Sequence, residues 1–257
     1  MMVNFHNVTD VKAIKPLFKK FHQSLLQAYW QGNIGYAYTD NALQPNSAVV
    51  NVGCFFFCAG CPNQDMLSYI PTIYGNNYFI VIADDQTWQS LIERTYPSCY
   101  EKFTRYSFYS EPLFERQKLQ AIVSQLSEGY RLKAIDENDY QQITSLEWSK
   151  DLCNNFNAYS EFRKYGLGYV ILKDNIIVSG ASSYLAYNNC IEIEVDTIAQ
   201  HRRKGLGLIC SAKLILTCLE RQISPKWDAH NHASLKMATK LGFILNKPYQ
   251  AYHIWHS

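Results

Sequence analysis

The sequence predicts an α/β protein in two parts, an N-terminal α/β domain over residues 1–128 and a second domain over residues 129–257. Three observations carry this. Strand-like and helix-like periodicities alternate along the chain, and the cadence restarts near Gly129. Apolar residues make up 47% of the 257, enough to bury a sizeable core. No apolar stretch approaches the length of a membrane-spanning helix, the longest being CFFFCAG from Cys54.

In the first half a helix is expected from Val11 to Tyr29, ended by Gly32. Strands follow at Gly35–Thr39, Ala48–Ala59 and Tyr78–Ala83, with turns at Pro45-Asn46 and Gly75-Asn76-Asn77. Asp85 precedes a helix over Thr87–Arg94, closed by Pro97. The Tyr/Phe-rich Lys102–Tyr109 reads as a strand. Leu113–Leu126 reads as an amphipathic helix with Leu119, Ile122, Val123 and Leu126 on one face.

The second half opens with a strand, Tyr130–Ile135, and Asp136 caps a helix from Glu137 to Trp148. A further helix is expected over Phe156–Lys164, then a hairpin of Gly168–Lys173 and Ile176–Ala186 across Asp174-Asn175. Ile191–Ile198 alternates, with Ile191, Ile193 and Val195 on one face and Glu192, Glu194 and Asp196 on the other, the mark of a strand. It runs into the basic turn Arg202-Arg203-Lys204-Gly205-Leu206-Gly207 and an apolar helix, LICSAKLILTCL. A short strand Pro225–Ala229, a helix Asn231–Leu241 ended by Gly242, and a strand Tyr249–Trp255 complete the chain.

The strand, glycine turn and helix around Gly205 make an anion site. The first amides of a helix have no internal partner, its dipole favours negative charge, and glycines admit close backbone approach. Neither a P-loop nor a G-x-G-x-x-G fingerprint is present. The pattern R/Q-x-x-G-x-G is met by Arg202, Gly205 and Gly207. With N-x-x-A/S at Asn231 and Ser234 and L-G-F at Leu241, Gly242 and Phe243, it resembles the GNAT superfamily of N-acetyltransferases. The stretch WDAHNHASLKMATKLGF resembles the zwittermicin-resistance type in particular.

The resemblance implies a C-terminal GNAT fold, a central mixed sheet flanked by helices, and acetyl-CoA as acyl donor. The similar cadence of the first half suggests a degenerate GNAT-like copy without the pyrophosphate turn. It also implies that the pyrophosphate rests on amides of Arg203, Lys204, Gly205, Leu206 and Gly207 beside Arg202. Backbone at Thr197 and Ile198 would pair with pantetheine, assisted by Asn231 and Ser234. The reaction expected is acetyl transfer to a primary amine of a small molecule, with a peptide amine as runner-up and a non-catalytic acyl-CoA-binding module as alternative.

An amine must lose a proton before it attacks a thioester. Glu192 and Glu194 point the same way from one strand and are the candidate bases. Asp196, nearer the turn, is read as positioning backbone or the basic triplet. Many GNAT enzymes carry a tyrosine general acid four residues before the glycine of L-G-F, where this chain has Ala238. The acid is then sought at Tyr252, at Tyr249 or in water.

A net charge of +2 argues against a dedicated nucleic-acid surface, and the N-terminus lacks the apolar core of a secretory signal. A cytoplasmic protein without nucleic-acid or membrane partners is expected, and a homodimer is left open. Among the 8 cysteines, Cys54, Cys58 and Cys61 have the C-x3-C-x2-C spacing of a radical S-adenosylmethionine iron–sulfur site. Phe55-Phe56-Phe57 between them reads as a buried strand, which favours structural thiols and no metal site.

Overall fold

The computed structural model describes residues 5–32, 34–75, 78–83 and 85–255. Asn76 and Asn77 of the expected turn lie outside the described residues. In chain order the first elements are β1 (His6–Asn7), α1 (Val11–Ile14), α2 (Ser24–Trp30), β2 (Tyr36–Thr39), β3 (Ser47–Val52), β4 (Phe55–Gly60) and α3 (Gln64–Tyr74). Next come β5 (Tyr78–Ala83), α4 (Gln86–Thr95), β6 (Tyr100–Phe108) and α5 (Arg116–Val123). Then follow β7 (Tyr130–Ala134), α6 (Glu137–Ser145), α7 (Tyr159–Tyr165), β8 (Gly168–Lys173), β9 (Ile176–Tyr187) and β10 (Cys190–Thr197). The chain closes with α8 (Leu206–Glu220), β11 (Ser224–Lys226), β12 (Asp228–Ala229), α9 (His232–Leu241) and β13 (Leu245–Trp255).

Two compact units result, residues 1–107 with 247–257, and residues 108–246. This division departs from the expected boundary at 128/129 in two ways. Helix α5 packs against α8 and so belongs to the second unit. The last strand pairs antiparallel with β5, from Ala251↔Ile82 to Trp255↔Tyr78, and so belongs to the first.

In the first unit the strands lie in the order β1-β2-β3-β4-β5-β13-β6. Strands β1 to β4 are successively antiparallel, and β5 joins β4 in parallel. The sequence reading ran β3 and β4 together as one strand. They are a hairpin, with Val52 opposite Phe55 across Gly53-Cys54. The long N-terminal helix is also broken: α1 passes into a 3-10 turn over Lys15–Phe18 that holds Pro16, and α2 starts afresh at Ser24. Helix α3 adds an element that the sequence pattern does not predict, with Pro71 inside it. The Asn63 side chain caps its start and Gly75 ends it. Its core gathers Phe56, Phe79, Trp88, Ile92 and Tyr252 around β4 and β5.

The second unit repeats the plan. Its sheet order is β11-β10-β9-β8-β7, with β7 to β10 successively antiparallel and β11 parallel to β10. Helix α6 opens with a reciprocal cap in which Asp136 and Asp139 each accept the other's backbone N–H. Ile143, Leu152, Phe156, Phe162 and Val170 pack together on that side of the sheet. Among the described residues no helix is long and apolar enough to cross a membrane.

Candidate functional site

Strand β10 runs beside β9 along its full length, from Cys190↔Tyr187 to Thr197↔Ser179, with an irregularity between Glu192 and Ile193. Its pairing with β11 is short and ends at Glu192↔Lys226. Residues 193–197 therefore present an edge to which no strand pairs among the described residues. Alternate residues of a strand direct their backbone groups to the same edge. Ile198 N–H donates to the Val178 carbonyl on the β9 side, whereas Val195 N–H turns away from β9 and donates to Glu194 Oε1 at 3.2 Å. The Thr197 carbonyl accepts from Arg202 Nε at 2.9 Å.

The open edge leads into the anion turn. A 3-10 turn over Ala199–His201 follows β10, Arg203 and Gly205 take left-handed conformations with φ of 63° and 78°, and α8 begins at Leu206. No side chain caps α8 and its first turn carries no acidic residue. The Ile209 N–H is the one that reaches back to the Gly205 carbonyl, so the amides before it have no partner of that kind. A Cβ on Gly205 would meet nothing within 4 Å, so the surroundings of this glycine are open. Gly207 is packed instead: its Cβ would lie 3.0 Å from Val195 Cγ1 and 3.4 Å from Thr197 Oγ1. Arg202, Arg203 and Lys204 are exposed around this helix start. Lys204 Nζ donates to the Tyr130 hydroxyl at 3.4 Å, and that hydroxyl also bonds His201 Nδ1 at 3.0 Å, which ties the turn to β7.

Because Gly207 packs against Val195 and Thr197, α8 covers the odd-numbered face of β10. The other face carries Glu192, Glu194 and Asp196. It is covered by the 3-10 turn Lys150–Leu152, since Gly180, opposite Asp196, would place a Cβ 2.8 Å from Leu152 Cδ1. Glu192 is only 4% exposed, and its Oε1 accepts from the Tyr187 hydroxyl at 2.9 Å. Burial first, then the Glu192 charge, hold the Tyr187 phenol well above the ordinary tyrosine range, so it remains a donor. Asp196 has its carboxyl pushed up to about 6, by burial first and then by Asp151, against the opposing pull of Arg202 and the Thr197 amide. A carboxyl that titrates near neutrality is suited to taking a proton.

A strand with an open edge, feeding an uncapped helix through a basic turn, is a scaffold for an extended anionic ligand. The family model described as GNAT acetyltransferase matches residues 15–252. The chain belongs to this family. An uncharacterized N-acetyltransferase of Bacillus subtilis (strain 168), YdfB, is 27% identical over 228 residues, covering 85% of each chain. The crystal structure of a GCN5-related N-acetyltransferase-like protein from Streptococcus suis 89/1591 is similar with a TM-score of 0.88 at 40% identity, over 95% of this chain and 98% of that one. A tandem GNAT protein from the clavulanic acid biosynthesis pathway shares the fold, with a TM-score of 0.52 over 98% of each chain at 8% identity.

For this GNAT chain, the structure assembles Glu192, Glu194, Thr197, Arg202, Arg203, Lys204, Gly205, Leu206 and Gly207 along one strand, turn and helix start. It revises several other expectations. Ile198 is engaged on both sides, giving its N–H to Val178 and accepting His201 N–H, and the edge-facing residues are Val195 and Thr197. Asn231 caps α9 by accepting Ser234 N–H at 3.0 Å, and Ser234 Oγ accepts from Trp227 Nε1 at 3.0 Å. These bonds define α9 and Trp227 locally.

Tyr252 is the largest correction. It is fully buried on β13 in the first unit and donates to Glu93 Oε1 at 2.7 Å. Burial, then the bond to Glu93, raise its phenol far above the usual range, so it keeps its proton inside that core. Tyr249 is on the same strand and accepts from Arg105 Nε at 3.2 Å. Ala238 is fully buried, with no hydroxyl to offer.

The iron–sulfur spacing fails on geometry. Cys54 precedes β4, Cys58 is buried within it and Cys61 follows it, exposed. The extended backbone of β4 separates the ends of this cysteine set, with Cys54 in the turn before the strand and Cys61 beyond it. Among the described residues no group of three metal-ligating side chains is found.

Sequence reasoning missed Asp151 beside Asp196 and Tyr187 on Glu192. Asp151 lies 45 positions before Asp196 in the chain, so no local pattern links them.

Proposed function

We propose that the second unit transfers the acetyl group of acetyl-CoA to a primary amine, on a small molecule in keeping with the resemblance to zwittermicin-resistance proteins. The observation that carries this reading is the open edge of β10 leading into the uncapped start of α8. Three features fit the donor: edge backbone at Val195 and Thr197 for amides, unpartnered helix amides for phosphates, and open space at Gly205. Arg202, Arg203 and Lys204 supply the countercharge. Acetyl-CoA supplies an acetyl group activated as a thioester.

The chain's own residues supply proton management and orientation. Glu192, held in place by Tyr187, is the proposed base, and Asp196 is a second carboxyl on the same face whose proton affinity lies near neutrality. The Val195 N–H is a donor aimed at the edge where negative charge would develop on the acyl oxygen. The side chain of Glu194 lies at that same edge. The buried Ala238 and the engagement of Tyr252 with Glu93 favour one alternative, an acyl-CoA-binding module without turnover.

Calorimetry with acetyl-CoA followed by an amine-library screen for CoA release tests both readings. Micromolar binding with turnover of at least one amine is the expected result. Binding without turnover across a broad library would favour the binding module, and absence of binding would remove both.

A further inference from the structure

Two edge groups of β10 are engaged by charged side chains of the same chain. Val195 N–H is taken by the carboxylate of its neighbour Glu194, and the Thr197 carbonyl by the guanidinium of Arg202. Residues 195 and 197 are successive edge-facing positions, the spacing at which an extended amide ligand pairs with a strand. Glu194 stands on the face of β10 that also carries Glu192 and Asp196, yet its carboxylate is turned to the edge.

We propose that Glu194 is a built-in cap on the donor-binding edge, displaced when an acyl-CoA pairs with β10. The inference rests on the donor site proposed above. A single edge N–H in line with one acceptor cannot serve a carboxylate and an acyl or amide carbonyl at full strength, so Glu194 and the donor compete for it. The carboxylate bond is charge-assisted, which makes it the stronger competitor in isolation. Donor binding therefore prevails through its other contacts, on the turn and the start of α8. Once released, the Glu194 carboxylate can rejoin Glu192 and Asp196, and the negative charge facing an incoming ammonium increases as the donor seats. This assigns different roles to the two glutamates. Glu192 is the fixed, buried carboxylate, while Glu194 couples donor binding to readiness for the amine.

The test compares Glu194→Ala and Glu194→Gln with the unmodified chain, by calorimetry with two probes. One is acetyl-CoA. The other is 3′-phosphoadenosine 5′-diphosphate, which has all three phosphates of the donor and no pantetheine. Removing the cap should tighten acetyl-CoA binding by roughly tenfold for Ala and less for Gln, whose amide oxygen can still accept, given what a hydrogen bond to a charged group contributes. Affinity for the diphosphate should stay within about twofold, because it makes no use of the Val195 edge. The Val195 amide resonance should move on Glu194→Ala and should then respond more strongly to acetyl-CoA.

Unchanged or weaker acetyl-CoA binding by Glu194→Ala, with diphosphate affinity intact as proof of a folded turn, overturns the cap. An equal gain for both probes also overturns it, since that is a bulk charge effect. If the unmodified chain binds the diphosphate and acetyl-CoA equally weakly, the donor reading itself has failed and the cap fails with it.

Discussion

The two units share a succession of four antiparallel strands and a parallel fifth, and they part company where that fifth strand joins. In the first unit β4 is an apolar strand, FFFCAG, and its parallel pairing with β5 runs from Phe55↔Ile80 to Cys58↔Ala83. The following helix is closed to anions. The Asn63 side-chain oxygen accepts from Met66 N–H, and Asp65 sits in the first turn of α3. In the second unit β10 carries three carboxylates, its parallel pairing stops at Glu192, and α8 starts without a cap or an acid. A parallel strand pair that separates, followed by a helix whose amides remain unclaimed, turns a structural junction into an anion site.

Glycine illustrates the same contrast. Gly60 and Gly205 both end their strand–turn segments with positive φ, of 83° and 78°. A Cβ at Gly60 would run into the Asn46 carbonyl oxygen, whereas one at Gly205 meets open space. The first glycine is required by the fold, and the second leaves room for a ligand.

Four substitutions break or sharpen this comparison. The largest expected effect is on turnover. Glu192→Gln should lower kcat by about 10²–10⁴-fold with donor affinity nearly unchanged, and higher pH should restore part of it. Near-normal kcat would transfer the base to Asp196 or to water. Next, Gly205→Glu should weaken acetyl-CoA binding by at least about 100-fold, because it sets charge and bulk against the phosphate cradle. Calorimetry that shows unchanged affinity would place the donor elsewhere.

Gly60→Ala reverses the pattern. It should cost about 2 kcal/mol or more of stability, through an unfavourable left-handed residue and the clash with Asn46, while folded protein keeps its donor affinity. A changed affinity at full folding would show that the first unit takes part in binding.

The smallest effect concerns Asp196. Its carboxyl titrates at about 6 in the fold against 3.8 ordinarily, so the folded state binds more protons than the unfolded chain between those values. The carboxyl's contribution is fully favourable below pH 3.8 and is lost as pH rises through about 6. Asp196→Asn should therefore stabilise the chain by about 1 kcal/mol at pH 8, a figure reduced for partial exposure to water, and by less as pH falls toward 4. A gain independent of pH in denaturant unfolding would remove the titration of Asp196 as its cause.

By itself the sequence determined the elements whose signals are local. Alternation marked β10, the basic glycine turn marked the start of α8, and Asp136, Asn231 and Gly242 marked helix ends, because strand pleat, helix caps and turn conformations each depend on a few consecutive residues. It also carried the family, since the motif residues fall in two short blocks, the turn into α8 and the length of α9. Tertiary structure alone decided what depends on partners distant in the chain. The destination of β13 follows from its pairing with β5, and the engagement of Tyr252 from its bond to Glu93. The high proton affinity of Asp196 follows from burial and Asp151, and the fixed carboxylate of Glu192 from Tyr187. The availability of the β10 edge follows from where β11 stops. Pairing, burial and charge proximity are properties of space, and a residue's neighbours along the chain do not encode them.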